Sequence, residues 1–141
     1  MKMNMDREGL PYNVDRNMSY NSRLAQELSK WAETKGKDDE IHSALFRAYF
    51  VDVKNIGKVE PLVEIAQQIG LPADEARDAL VTRSFKEAVD NDWRRCAAVG
   101  VNAVPTFLAG RYLMVGAQPY EELERLVQHA AKSPNVESDE R

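Results

Sequence analysis

The segment with the clearest potential for chemistry is Gly100-Val101-Asn102-Ala103-Val104-Pro105-Thr106-Phe107. It places a proline after a loop of small residues and at the start of a β-prone run, a context in which X–Pro bonds can be cis. A cis bond would turn the chain sharply and direct the N–H and C=O of Val104 outward, where an extended peptide or thiol ligand can pair by strand addition. A trans proline that opens an ordinary edge strand is the alternative, and the rarity of cis bonds favours it.

Cys96 is the single cysteine of the chain, which excludes an intramolecular disulfide, a CxxC pair and a cysteine-rich metal cage within these 141 residues. Thiol–disulfide exchange needs an attacking thiolate and usually a second thiol that resolves the mixed disulfide. Phe85, Val89 and Trp93 precede Cys96 at helical spacing. We therefore predict that the thiol faces inward as a small buried side chain and has no catalytic role.

The histidines and the acidic runs have structural explanations. His129 falls in the last turns of a predicted helix, where a protonated imidazole gains from the helix dipole. His42 lies near a helix start, and the same dipole favours Asp38-Asp39-Glu40 in the first turn. No His, Cys and carboxylate cluster with ligand spacing is apparent, so we expect no metal ion, and no motif points to another cofactor.

The composition is typical of one compact domain. The chain has 141 residues, a mass of 16.0 kDa, 43% hydrophobic residues and a formal charge of −4. A chain of this mass can bury about two-thirds of its surface. The acidic balance argues against nucleic-acid and anionic-lipid partners, and no apolar run is long enough to span a bilayer. The N-terminus lacks the apolar centre of a secretory signal, so we expect a cytoplasmic protein.

The predicted elements divide the chain into four parts. Residues 1–20 are expected to form an extended lead-in, 21–99 a helical region, 100–132 a β-hairpin with a C-terminal helix, and 133–141 a disordered tail. Apolar residues at helical spacing predict the buried faces of the first three helices: Leu24, Leu28 and Trp31; Ile41, Leu45, Phe46, Tyr49 and Phe50; Val59, Leu62, Val63, Ala66 and Ile69.

The C-terminal part is predicted as a hairpin followed by one helix. Its strands are Val104–Leu108 and Arg111–Val115, with Ala109-Gly110 as a two-residue turn. The last helix, which begins near Pro119, is expected to bury Leu123, Leu126, Val127 and Ala130.

The chain from about Tyr20 to Ala130 resembles the DsbA-like thioredoxin superfamily, particularly its FrnE-type members and the related hydroxychromene-carboxylate isomerases. The matching pieces are, in order, Ala44-Leu45-Phe46-Arg47-Ala48-Tyr49-Phe50, Asn55-Ile56, Ile65-Ala66, Gly70-Leu71, Ala97 with Gly100-Val101, Val104-Pro105-Thr106-Phe107, and Gly116-Ala117-Gln118-Pro119. The resemblance implies an α/β thioredoxin fold interrupted by a helical insertion, with Val104–Pro105 cis beside the redox or glutathione site. It implies Val104, Pro105 and Thr106 as substrate-binding residues and a peptide thiol or glutathione as partner.

The sequence departs from that family at its start. A complete member begins with a strand, a helix that carries CxxC (serine-type in the isomerases) and another strand, and nothing before Tyr20 supplies that unit. We therefore predict an incomplete thioredoxin-like fold: a truncated member of an oxidoreductase family without redox activity of its own. A non-catalytic module for peptide or glutathione and a helical interaction protein are the alternatives. The open hairpin edge predicts a homodimer, a domain swap or strand pairing by Leu10–Val14.

Overall fold

The structure is a computed structural model that describes residues 2–132, with side chains from residue 4 onward. The predicted tail, 133–141, lies outside the described residues. The chain divides into two compact units, Met1–Asp92 and Trp93–Arg141. The elements are α1 Lys2–Arg7, α2 Arg23–Glu33, α3 Asp38–Phe50, α4 Val59–Gln68, α5 Ala73–Val81, α6 Lys86–Ala98, β1 Thr106–Ala109, β2 Tyr112–Val115 and α7 Tyr120–Lys132. None of these described helices is long and apolar enough to cross a membrane.

The first unit is built on the apolar stripes of α2, α3, α4 and α5. Its largest fully buried apolar side chains come from all four of these helices and from the start of α6: Leu28, Ile41, Leu62, Ile65, Leu80 and Val89. Burial of one such side chain contributes about 1.5–3 kcal/mol. The spacing that predicted these helices therefore also supplies the contacts that hold them together.

Glycine closes α2, α4 and α6 by the same arrangement. Gly36, Gly70 and Gly100 have positive φ angles of 69°, 81° and 83°. At each site the residue after the glycine donates its N–H to a carbonyl five residues earlier, as Val101 does to Cys96 at 2.9 Å. This left-handed ending turns the chain out of each helix at low steric cost, and after α6 it starts the loop toward Pro105.

The second unit contains an antiparallel hairpin whose register pairs Thr106 with Val115 and Ala109 with Tyr112. The predicted order of helices, hairpin and final helix is confirmed. The predicted turn was one residue too early, because Gly110 and Arg111 form it instead of Ala109 and Gly110. Gly110 has a φ of 58°, and a two-residue turn of this kind favours glycine at its first central position.

Residues 1–20 differ from the expected extended lead-in. Lys2–Arg7 is helical, and Gly9 (φ 63°) ends the helix while Leu10 donates its N–H to the Met5 carbonyl at 2.9 Å. Glycine therefore terminates a helix here and does not prevent one. The expected strand at Leu10–Val14 does not form, since Asn13 donates its N–H to the carbonyl of Phe50, at the end of α3, at 2.7 Å.

Three predicted buried faces are wrong in part. Trp93 is 55% exposed and Cys96 is exposed, whereas Val89, earlier in α6, is buried. Phe46 is 62% exposed on α3. In α7, Val127 is exposed and no residue is fully buried, since a two-stranded hairpin offers little area to cover a helix.

Candidate substrate-binding site

The predicted site residues lie where the loop after α6 enters β1. The peptide bond between Val104 and Pro105 is cis. The Pro105 carbonyl accepts a hydrogen bond from the Gly116 N–H at 2.8 Å, which extends the hairpin ladder by one pair. The Thr106 hydroxyl donates to the Ala103 carbonyl at 2.6 Å and closes the loop in front of the proline. Pro105 is therefore fixed to Gly116 and Thr106 to Ala103, while Val104 lies in the loop between Ala103 and Pro105.

The backbone of Val104 is open on this loop. Val104 is 89% exposed, and within residues 2–132 its N–H and C=O make no hydrogen bond. The ladder fixes the direction of the next groups. The Pro105 carbonyl points toward the β2 side of the hairpin. Successive residues of an antiparallel strand direct their backbone groups alternately toward and away from the partner strand, so the N–H and C=O of Thr106 and Leu108 point away from β2. Thr106 and Leu108 thus present donors and acceptors along one free strand edge of the second unit, and Val104, whose backbone makes no hydrogen bond within residues 2–132, lies just before that edge in the chain.

Such an edge can hold an extended backbone as an additional strand. Main-chain hydrogen bonds supply affinity in this mode, and the alternate side chains of the ligand supply specificity. The exposed side chains of Val104 and Leu108 offer an apolar contact beside those bonds. The arrangement fits a short extended peptide in particular.

A family model for the DSBA-like thioredoxin domain matches residues 1–128. The chain belongs to the DSBA-like thioredoxin domain family. The uncharacterized protein YwbO of Bacillus subtilis (strain 168) is 27% identical over 110 residues, which are 77% of this chain and 55% of YwbO. The chain therefore spans about half the length of the curated relative it matches.

Two solved structures share the fold of this DSBA-like chain. A "putative protein disulfide isomerase" from Nitrosomonas europaea matches with a TM-score of 0.74 and 19% identity, over 93% of this chain and 70% of that chain. The cytosolic disulfide reductase DsbM from Pseudomonas aeruginosa matches with a TM-score of 0.63 and 19% identity, over 91% and 68%. The predicted thioredoxin-type α/β class and the predicted superfamily are thus confirmed.

The one thiol of this DSBA-like chain lies on the last turn of α6. Cys96 is exposed, contrary to the prediction, and its carbonyl is tied to Val101 in the loop that leads to Val104. His129 in α7 packs edge-on against Tyr112 with ring centroids 4.6 Å apart. That contact gives His129 a structural partner in addition to the helix dipole.

A buried carboxylate network in the first unit was missed by the sequence analysis. Glu27 has a 1% exposed side chain and accepts hydrogen bonds from Arg83 and, at 3.1 Å, from Arg23. The hydrogen bonds from Arg83 lower the pKa of Glu27, while its burial opposes them and Arg23 adds to them. Arg23 also bonds Asp90, which lowers the pKa of that carboxyl. Glu27 lies at the inward spacing of Leu24, Leu28 and Trp31, a signal that a paired charge belongs on that face.

The first unit also contains a cavity of about 550 Å³. Four aromatic residues line it: Tyr20, Phe46, Tyr49 and Phe50. Its polar lining includes Lys30, Glu33, His42 and Asp92. The sequence predicted that the whole apolar stripe of α3 faces the core. The exposure of Phe46 shows that part of this stripe borders open space.

Three side chains of the first unit that could each offer a metal ligand lie close together in space. Glu33, Asp38 and His42 each offer one ligand atom, and these atoms lie within 4.8 Å of one another. The signal was the i,i+4 spacing of Asp38 and His42, which places both on one helix face. Glu33 was not recognisable from spacing because it comes from the preceding helix.

Proposed function

We propose that this chain binds extended thiol peptides, glutathione among them, along Val104–Thr106, and that by itself it does not catalyse thiol–disulfide exchange. The observation that carries the binding is the open backbone of Val104, which continues into the outward groups of Thr106 and Leu108. Membership of the DSBA-like family supports a thiol ligand over other peptides.

The absence of turnover follows from thiol counting within the 141 residues. When a thiolate attacks a disulfide, one sulfur forms a mixed disulfide and the other leaves as a thiol; a second thiol must then release the first. Cys96 is the single thiol of this chain. Any resolving thiol must therefore come from another molecule or from a segment outside these residues.

A reducing compartment suits this proposal. An unpaired, exposed thiol such as Cys96 persists where glutathione keeps thiols reduced. The relative DsbM is described as cytosolic, and we propose the same compartment for this chain. We also propose that, within the family, the chain is related to the FrnE-type members.

Calorimetric titration with a short cysteine peptide, its serine analogue and reduced glutathione tests the binding. We expect the cysteine peptide and glutathione to bind and the serine analogue to bind more weakly. Equal binding of the cysteine and serine peptides would refute the thiol preference, and no binding of any of them would refute the site.

Three variants locate the site on β1. Thr106→Pro removes an N–H that points away from β2, and loss of one such hydrogen bond should weaken binding about tenfold. Thr106→Val keeps the N–H and removes only the hydroxyl. Val115→Pro removes the matching outward N–H on β2. If Val115→Pro reduced binding and Thr106→Pro did not, the ligand would bind along the edge of β2, which would contradict the proposed site on β1.

Reduction of insulin with glutathione as electron donor tests the redox part separately. We expect the rate with the wild-type chain to equal the rate with Cys96→Ser. A wild-type rate above that control would show that Cys96 turns over with an external resolving thiol.

A further inference from the structure

The geometry of Glu33, Asp38 and His42 is close to that of a metal site. The Nε2 atom of His42 lies 3.2 Å from Oδ1 of Asp38. Zinc bonds of about 2.0–2.2 Å in a tetrahedral arrangement place neighbouring ligand atoms roughly 3.3–3.5 Å apart. The third ligand atom, from Glu33, lies within 4.8 Å of the other two, so a rotation of this exposed side chain can complete the same spacing.

Two anchored helices hold these three side chains in place. Glu33 is the last residue of α2, and Asp38 and His42 occupy the first turns of α3. Ala32 and Ile41, beside the ligands in sequence, are fully buried in the core. The Lys37 N–H donates to the Ala32 carbonyl at 3.1 Å, which fixes the short connection between the helices. The cluster is therefore positioned by the fold and not by a loose loop.

The lysine that contacts Glu33 has a closer partner. Lys30 contacts Glu33 at 3.4 Å but lies 2.9 Å from Asp92. If a metal ion binds the Glu33 carboxylate, Lys30 keeps its ion pair with Asp92, so metal binding does not leave the lysine without a charged partner.

We propose that Glu33, Asp38 and His42 bind a divalent cation of the zinc class. One imidazole nitrogen and two carboxylate oxygens suit Zn²⁺ or Co²⁺ better than Mg²⁺ or Ca²⁺, which prefer oxygen ligands alone. Three protein ligands leave a coordination position for water or another group. Glu33 and His42 also line the cavity of the first unit, which supplies the room for that fourth ligand.

The test is Zn²⁺ titration of the full chain without an affinity tag, in a Cys96→Ser background so that the thiol cannot supply a ligand. We expect one ion per chain. His42→Ala should lower the affinity for Zn²⁺ about a hundredfold, because loss of a residue that only supports a ligand already lowers metal affinity by about 10–100-fold. Glu33→Gln should also weaken binding, while Mg²⁺ should not compete. Co²⁺ should give the visible absorption of a low-coordinate site, and His42→Ala should abolish it.

Matched controls separate this site from adventitious binding. His129→Ala removes the other histidine, and Asp39→Asn removes the adjacent carboxylate outside the cluster. Both should bind Zn²⁺ as the background protein does, and circular dichroism should show every variant folded. No binding by the background protein would overturn the proposal, and so would equal binding by His42→Ala and His129→Ala.

Discussion

Arg83 donates two hydrogen bonds to the Glu27 carboxylate, from Nε to Oε2 over 2.7 Å and from Nη2 to Oε1 over 2.6 Å. Arg83 follows α5 with a φ of 56°, a left-handed conformation that non-glycine residues rarely adopt. The ion pair thus joins the end of α5 to the buried face of α2, and the carboxylate it satisfies is cut off from solvent.

Arg83→Met should lower the free energy of unfolding by about 2 kcal/mol, because Glu27 keeps only Arg23 as a charged partner. Urea denaturation followed by tryptophan fluorescence measures this loss. Arg77→Met is the matched control, since Arg77 also bonds a carboxylate, that of Glu60, with two nitrogens but at an exposed site. Equal losses in the two variants would show that burial of Glu27 adds nothing.

Acidification should remove the same stabilisation. The pKa of Glu27 is lowered in the folded protein from an ordinary value of about 4.5, so its stabilisation is complete above that value and is lost as the pH falls through the folded-state pKa. The difference in unfolding free energy between wild type and Glu27→Gln should therefore shrink as the pH is lowered below that ordinary value. A difference that grows on acidification would contradict the sign of this shift.

The first core could be predicted from the sequence because its information is local. Leu28, Ile41 and Leu62 repeat at helical spacing within their own segments, and Gly70 marks a helix end by its identity alone. The bond between Glu27 and Arg83 could not be predicted in the same way. Its partners lie 56 residues apart, and no spacing rule connects them.

The errors in α6 and α7 have a common cause. Periodicity shows which residues share a face, as Val89, Trp93 and Cys96 do, but not whether a neighbouring element covers that face. In the structure Val89 is covered while Trp93 and Cys96 are exposed. The candidate site was located at Val104–Thr106 from sequence, whereas its free edge became evident only from the register of the strands.

The exposed thiol predicts rapid chemical labelling. Cys96 should react with a thiol-specific disulfide reagent in the native protein nearly as fast as in the urea-unfolded protein, because no packing must open first. The absorbance of the released thiolate gives both rates. A native rate far below the unfolded rate would restore the buried position that the sequence predicted.

Self-association through the hairpin remains a prediction. Both strands of the described second unit have an open edge, and Leu108, Leu113 and Val115 are exposed. Unpaired edges favour pairing with a second copy. Sedimentation velocity should show a concentration-dependent dimer that Leu113→Lys weakens. A monomer at every concentration would contradict the predicted homodimer and the domain swap alike.

The most direct test of the binding site is the amide NMR spectrum of the nitrogen-labelled chain during titration with a short cysteine peptide. We predict that the Val104, Thr106 and Leu108 amide signals shift and saturate together, and that Thr106→Pro abolishes the shifts of the other two. Saturable shifts confined to residues outside Val104–Leu108, or unchanged shifts in Thr106→Pro, would contradict peptide binding along this edge.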